Sequence, residues 1–489
     1  MHKNQNPSAL ARFWSSAPAV WAVALIPFLI GGITCIEKLH RGPAHMGNLH
    51  VFRDAAIALS HGRDIYRSGN GEYVYPPLIA FLAQPLGWIP LVWAAAVMLV
   101  VNLGAAIFAL KIACNEMLER LTGRTTALAV AQVALIAAWL TTDHIRSELN
   151  AWETNIWMLL MFVLALRWSD RKPLLSGIAL GFAFNIKYLP IVFVPYLILR
   201  RRWAILVSFI VSSVFFAFLP AVSMGWSRDF AAVVKSDSGI ARLLGIHLPA
   251  SASANTLPFT SLKSISIPSA IGRMTHLPET YAVAIATAFA AVVLLFWFLL
   301  YRQRDLPLLK WPDAGSQTIQ SFRKLFALEW AGIILLALAF SPYTNSPHLY
   351  LLLIVNAAVA SLLLFSPAGT NSLPLLIASL ILFLGTILPP GGNTFRGAEL
   401  GWKSAGVAGW CMYLLAFPLL WIGLRRFRQA GTNQSKPYNL VQFIECPRTF
   451  ALNKMDHFPA DSPVVSTSNR PVSGSITKPC TTTSFGNSG

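Results

Sequence analysis

The sequence predicts an all-α integral membrane protein, a polytopic helical bundle of about 10–12 membrane segments with one re-entrant helix pair. Three observations predict it. Of 489 residues, 55% are hydrophobic and only 12% charged, and the mean hydropathy is +0.56. Apolar stretches near the length that crosses a bilayer, about 20 residues, recur along most of the chain. The basic residues behind the net charge of +18 gather at the ends of those stretches, at 171–172, 200–202, 302–304, 323–324 and 425–428. Retention of Lys and Arg on the cytoplasmic side produces that placement, and it argues against nucleic acid as a partner.

Residues 1–16 read as a cytoplasmic N-terminus. The first span, near 17–36, is too long for a signal peptide and lacks a small-x-small cleavage site before a soluble domain. Further spans lie near 90–112, 126–141, 153–168, 203–223, 281–301, 325–341, 347–365, 373–389 and 404–424. With the basic clusters inside, both termini are cytoplasmic. Loops 38–89, 142–152, 224–280, 342–347 and 390–403 then face outward from a plasma (inner) membrane.

Segment 173–199 is apolar but interrupted by Asn185, Lys187 and Pro190, and both its ends are basic. It is too short to cross twice at about 1.5 Å per residue. A re-entrant pair with a polar elbow fits, because non-helical backbone at that depth is tolerated only beside a cavity or inside protein. The outer loop 224–280 is expected to hold short interfacial helices. Residues 17–428 thus form one membrane domain, and 429–489, rich in Ser, Thr, Pro and Asn, read as a disordered cytoplasmic tail. Cys35, Cys114, Cys411, Cys446 and Cys480 are scattered without CxxC spacing, so neither a disulfide framework nor a zinc site is indicated. The chain has no internal repeat, Walker loop or dinucleotide fingerprint.

The loop after the first span is far more polar than a connector requires. It runs Asn48-Leu49-His50-Val51-Phe52, Ala55-Ala56, Gly62-Arg63-Asp64-Ile65-Tyr66 and Tyr73-Val74-Tyr75-Pro76-Pro77. Pro76-Pro77 sets an extended approach and then starts a helix. Residues 78–89 are expected along the membrane surface, anchored by Trp88. Lys187 is the strongest single candidate, because an ammonium at mid-membrane depth is costly unless paired or hydrated; the alternative is a lysine that snorkels to an interface. Asn150, Glu153 and Asn155 open the span after loop 142–152, where they either cap a helix or face a cavity. His348 follows Ser341-Pro342 at the mouth of a span, where it binds an anion when charged, orients a hydroxyl when neutral, or has no role. Glu329 is expected near the cytoplasmic interface beside Arg323 or Lys324.

These runs resemble, in order and spacing, glycosyltransferase family 87, multi-span mannosyltransferase-like enzymes of the GT-C superfamily. The family reads Asp-Leu/Phe-x-Val-Tyr, Ala-Ala, Gly-x-x-Leu-Tyr and Phe-x-Tyr-Pro-Pro through this loop. Its Gly-x-x-x-Gly-x-Ala-x-x-x-Lys-x-x-Pro run is matched by Gly177, Gly181, Ala183, Lys187 and Pro190. Its Asn-x-x-Gln-Ser/Thr-Asn run is matched by Asn150, Glu153, Thr154 and Asn155, with Glu in place of Gln. Its Ser-Pro…His signature is matched by Ser341, Pro342 and His348. The resemblance covers about 45–350. It implies a GT-C-like bundle with an outer-face site that moves a mannose-like sugar from a polyprenyl-phosphate donor to a lipid or glycan acceptor. Lys187 and His348 would bind the donor phosphate, and Asn150, Glu153, Asn155 and Tyr75 the sugar or acceptor. Partners would be these substrates and membrane lipids. No cofactor is expected, and the absence of an Asp-x-Asp pair gives no reason to expect a metal.

One departure bears on the chemistry. Inverting transfer to a hydroxyl needs a carboxylate near the anomeric carbon to take the proton. The family's candidate is the Asp that opens its first run, and Asn48 stands there in this chain. Asp54, expected at the N-terminus of a short helix over 55–59, Glu37 at the outer end of the first span, and His50 are the replacement candidates. Two other classes remain open at this stage: a transporter or flippase of a lipid-linked or anionic substrate, since broken helices and buried lysines also occur there, and a non-catalytic relative of the transferases.

Overall fold

In a computed structural model, the described residues are 15–42, 45–69, 71–243, 258–304, 306, 316–365, 372–387 and 393–432, and they form helices with no strand among them. Almost all of the tail expected at 429–489 and part of the 224–280 loop lie outside these residues. Every expected span has its helix. The first is α1 (Ala17–Ala24) and α2 (Ile26–His40). They break at Leu25, because Pro27 cannot donate to the Val23 carbonyl. The Trp139 indole N–H donates to that carbonyl instead, at 3.1 Å.

The polar loop folds into α3 (Asn48–Ser60), and two short helices, Pro77–Leu82 and Gln84–Gly87, lead into α4 (Leu91–Thr122). Gly123, with φ 75°, ends α4 in the left-handed conformation common after helices. Next come α5 (Ala127–Leu140) and α6 (Thr142–Ala151), bent by 67° from each other. Loop 142–152 is therefore a helix rather than an irregular connector. His144, Ile145, Glu148 and Leu149 bury one stripe of it, a pattern that the polar composition conceals.

The chain continues through α7 (Asn155–Trp168), α8 (Pro173–Phe184), a 3₁₀ turn at Leu189–Val192, α9 (Phe193–Leu199) and α10 (Trp203–Phe218). The long outer loop carries α11 (Trp226–Leu243) and α12 (Ile267–Thr275). Last come α13 (Glu279–Gln303), α14 (Ser316–Phe340), a 3₁₀ segment at Ser346–Leu351 with α15 (Leu352–Phe365), α16 (Leu373–Ile387), α17 (Arg396–Ser404) and α18 (Val407–Thr432). Among the described residues, six helices are long and apolar enough to cross a membrane, or seven if α5 and α6 count as one span. Helices α7, α8, 189–199 and α16 are apolar too but shorter.

The core centres on α15, in which every residue from Leu352 to Leu362 is buried. It packs on α4, α5, α14, α16 and α18. A helix apolar on all sides has no polar face to show solvent, so it occupies the middle of the bundle. The periphery is apolar too: Val207, Ile210, Val211, Val214 and Phe215 of α10 and Leu294, Leu295 and Phe298 of α13 are exposed, as lipid-facing positions require.

Ion pairs knit the end of the bundle that carries the basic clusters. Arg120 meets Glu116 at 3.2 Å and Asp170 at 3.0 Å, and Arg323 meets Asp170 at 3.1 Å and Glu119 at 3.0 Å. Glu329 is not beside Arg323 or Lys324. It is buried, accepts from the Arg200 guanidinium and the Tyr301 hydroxyl, and takes a 2.6 Å bond from Tyr196. Arg323 is instead drawn to the two acids at the ends of α4 and α7, leaving Glu329 to the chain leaving α9.

Candidate active site

Lys187 projects from the break between α8 and α9. Gly177 and Gly181 let α8 lie directly on α10: a β-carbon at Gly177 would stand 2.5 Å from the Ile205 carbonyl oxygen and 2.7 Å from the Phe209 nitrogen. Small residues at that spacing allow membrane helices to approach backbone to backbone. The Asn185 amide then donates to the Gly181 and Ser213 carbonyls at 3.0 and 2.9 Å, closing the end of α8. Pro190 prevents a regular continuation. The elbow expected at 185–190 is thus a capped helix end followed by a 3₁₀ turn, and Lys187 extends from it into the interior.

Two chain reversals bring Asn48 and Glu153, 105 residues apart in sequence, into contact. Trp152 ends α6 with φ 56°, a conformation that L residues rarely adopt, and its side chain is buried. Gly47, just before α3, has φ 51°, and a β-carbon there would meet the Ala151 carbonyl oxygen at 2.7 Å. Only glycine fits both demands. The start of α3 therefore rests on the end of α6. Asn48 Nδ2 donates to Glu153 Oε1 at 2.8 Å and approaches the Tyr75 hydroxyl at 3.2 Å.

Glu153 Oε2 accepts from the Tyr75 hydroxyl at 2.8 Å and from Lys187 Nζ at 2.9 Å. Burial and the Glu153 carboxylate push the Tyr75 phenol well above its ordinary range, so it remains a donor. Its ring also lies 5.5 Å from Lys187 Nζ. Lys187 donates to Asn155 Oδ1 at 2.9 Å, and Asn155 in turn donates to Glu148 Oε2 at 2.7 Å. The other oxygen of Glu148 accepts the Ile156 N–H at 3.1 Å, capping α7.

The third direction from Lys187 leads to His348 Nε2 at 3.1 Å. His348 Nδ1 accepts the Asn345 backbone N–H at 3.0 Å within a reciprocal capping box. A neutral imidazole that accepts at Nδ1 carries its proton on Nε2. Two N–H donors, the Lys187 ammonium and His348 Nε2, therefore converge, and neither is an acceptor for the other. An anion oxygen satisfies both. This pair sits at the head of a cavity of about 500 Å³ whose walls, including Ile191, Leu294, Trp297, Leu336 and Phe340, are mainly apolar. Tyr343 also lines it, its phenol pushed up to about 12 by burial and by Glu153.

Six of the residues singled out from sequence thus meet: Asn48, Tyr75, Glu153, Asn155, Lys187 and His348. The others lie elsewhere. Asn150 holds α6 to the first span, its side-chain amide donating to Thr34 Oγ1 at 3.0 Å and its backbone carbonyl accepting from Lys38 at 3.2 Å. Glu37 is exposed on α2. Asp54 does not start a helix, because α3 begins at Asn48. Six positions on, it is turned about 120° from Asn48 and lies against Gly69. His50 faces nearly opposite and pairs with Glu72 at 3.6 Å. Sequence reasoning did not single out Tyr343 or Gly47; only a glycine directly before a helix hints at the second. The buried Glu148 stands among the polar residues that loop 142–152 offers. Among the described residues, no group of three or more His, Cys, Asp or Glu side chains is placed to hold a metal ion.

The sequence pattern of glycosyltransferase family 87 matches residues 73–316. A polyprenol-phosphate-mannose-dependent α-(1-2)-phosphatidylinositol pentamannoside mannosyltransferase of Mycobacterium tuberculosis is 28% identical over 207 residues, 40% of this chain and 46% of the relative. A polyprenol-phosphate-mannose-dependent α-(1-2)-phosphatidylinositol mannoside mannosyltransferase of Mycolicibacterium smegmatis is 27% identical over 246 residues, 46% of this chain and 54% of the relative. An α-(1->3)-arabinofuranosyltransferase of Mycobacterium tuberculosis is 27% identical over 234 residues, 44% of this chain and 52% of the relative. The chain spans about half the length of the curated relatives it matches. With the family pattern matched over residues 73–316 on a helical membrane bundle, this chain belongs to glycosyltransferase family 87.

Proposed function

We propose that this protein is an inverting hexosyltransferase that moves a mannose-like sugar from a polyprenyl-phosphate donor to a lipid or glycan acceptor at the outer face of the plasma membrane. One observation carries the reading: two converging donors, Lys187 and His348, at the head of an apolar cavity. A polyprenyl phosphate has the matching form, an anion on a long hydrocarbon chain. Lysine meets the phosphate as a compact point charge. Apolar walls on α13 and α14 suit an isoprenoid, and they open toward residues exposed to lipid. The names of two relatives, which specify polyprenol-phosphate-mannose, support the donor class. The outer-face assignment rests on the ion-paired basic clusters at the other end of the bundle.

Within this reading, phosphate oxygens bind Lys187 and His348, and the sugar lies toward Tyr75, Asn48 and Glu153. The new bond forms on the face of the anomeric carbon away from the phosphate. Membranes containing the full-length protein, incubated with radiolabelled polyprenyl-phosphate mannose with and without phosphatidylinositol mannoside, test the proposal. Label is expected in the acceptor lipid. Neither transfer nor consumption of the donor, against a positive control enzyme, overturns it.

A further inference from the structure

We propose that Glu153 is the general base of the transfer reaction, with Asn48 and Tyr75 holding its carboxylate in place. The inference rests on the donor reading above and assigns a role that the Asn48 substitution otherwise leaves empty.

The first ground is an account of lone pairs. A carboxylate oxygen accepts about two hydrogen bonds. Oε2 of Glu153 is occupied by Tyr75 and Lys187, at 2.8 and 2.9 Å. Oε1 accepts one bond, from Asn48 Nδ2 at 2.8 Å, and so keeps an acceptor position for a hydroxyl proton. Glu148, the other carboxylate nearby, is fully buried, and its oxygens serve Asn155 and the start of α7. Asp54, Glu37 and His50 are turned away or bonded elsewhere. Asn48 carries no carboxylate. Among the described residues, Glu153 is the carboxylate that both touches Lys187 and retains a free acceptor direction.

The second ground is independent of that count. The runs that this chain resembles have an acid at the position of Asn48 and an amide at the position of Glu153, whereas this chain has the amide at 48 and the acid at 153. The two side chains are hydrogen-bonded to each other. Acid and amide have changed places across one hydrogen bond, so the negative charge stays in the same small volume.

In the step itself, the acceptor oxygen bonds to the anomeric carbon and its proton passes to Glu153 Oε1. The bond between that carbon and the phosphate oxygen breaks, and its electron pair stays with the phosphate. The products are the glycoside, neutral Glu153 and a polyprenyl phosphate carrying one more negative charge, next to Lys187 and His348. Before the donor arrives, Lys187 is committed to Glu153. Phosphate binding draws that cation away and leaves the carboxylate free to take the hydroxyl proton.

The test compares the full-length wild type, Glu153→Gln, the exchanged double variant Asn48→Asp/Glu153→Gln and Lys187→Ala in nanodiscs. The probes are polyprenyl-phosphate mannose as donor and phosphatidylinositol mannoside as acceptor, with donor binding and turnover measured separately. Glu153→Gln is expected to lower kcat by roughly 10²–10⁴-fold, the usual contribution of a general base, with donor affinity changed by less than about tenfold and the acid limb of the kcat/KM pH profile lost. The double variant is expected to recover most of the lost turnover, which a protein that merely misfolds cannot do. Turnover of Glu153→Gln close to wild type, while Lys187→Ala loses donor binding, overturns the base assignment and leaves the donor reading standing. Undiminished donor binding by Lys187→Ala removes the donor reading, and this proposal with it.

Discussion

Replacing Lys187 by Met removes the charge and keeps most of the side-chain volume. The Nζ atom reaches Glu153, Asn155 and His348 within 3.1 Å. A hydrogen bond to a charged group contributes about 1.5–3 kcal/mol, so losing the one to the donor phosphate should weaken Kd roughly 10- to 150-fold. Stability should fall as well. Glu153 has a side-chain exposure of only 8%, and Lys187 is its cation. Removing one member of a buried pair typically costs about 3–5 kcal/mol. Tyr75 and Asn48 still donate to Glu153, which places the expected loss near the lower end of that range. The Lys187→Met/Glu153→Gln double variant should recover the melting temperature but not the affinity, because it relieves the stranded carboxylate without restoring a cation for phosphate. Competition binding of polyprenyl phosphate in nanodiscs, beside thermal melts, reads both quantities. A Kd within about threefold of wild type would refute the reasoning, whatever the melts show.

Other expectations follow from single features. Gly47→Ala places a β-carbon 2.7 Å from the Ala151 carbonyl oxygen at a positive φ; strain of about 1–3 kcal/mol is expected, read as a lower melting temperature and a turnover loss larger than any loss of donor binding. Arg67, 86% exposed beside the site loop, should react as Arg67→Cys with an impermeant maleimide on intact cells, and Arg171→Cys only after permeabilisation; the reverse pattern would invert the orientation. Burial raises the Asp229 carboxyl of α11 from 3.8 to about 6. The folded state then binds more protons than the unfolded state between those values, so stability should decline as pH rises through that window. Asp229→Asn should flatten that slope in melts run from pH 4 to 7.

What could be read from the sequence follows from what a bilayer penalises. Spans are visible because apolar length is obligatory, and Lys187 is visible because an ammonium at that depth needs a reason. His348 and Tyr75 came from motif resemblance, and their convergence on Lys187 is a tertiary fact. The base needed in place of Asn48 is looked for close to it in sequence, at Asp54, Glu37 and His50. The acid that touches Asn48, Glu153, enters from another helix junction through the close approach of Gly47 to Ala151. Nothing local encodes that approach. Likewise α6 reads as a loop because its buried face includes His144 and Glu148, and the partners of Glu148 come from α7. Sequence proximity pairs Glu329 with Arg323 or Lys324, whereas its partner Arg200 comes from the end of α9.

The length of α4 has a consequence for where the reaction can take place. Its 32 residues extend about 48 Å, some 18 Å more than a hydrocarbon layer of about 30 Å. The first twenty residues, to Leu110, carry no charge, and Lys111, Glu116, Glu119 and Arg120 follow. The charged stem is bound to Asp170 and Arg323 from neighbouring helices, so it cannot slide alone. Drawing the molecule upward would pull this whole raft of ions into oil, and pushing it down would drown the apolar stretch in water. The helix thus works as a depth gauge. Because α4 also holds α7 through the bond from Trp157 to Asn102 at 3.0 Å, it fixes the height of the cluster around Lys187 above that charged stem.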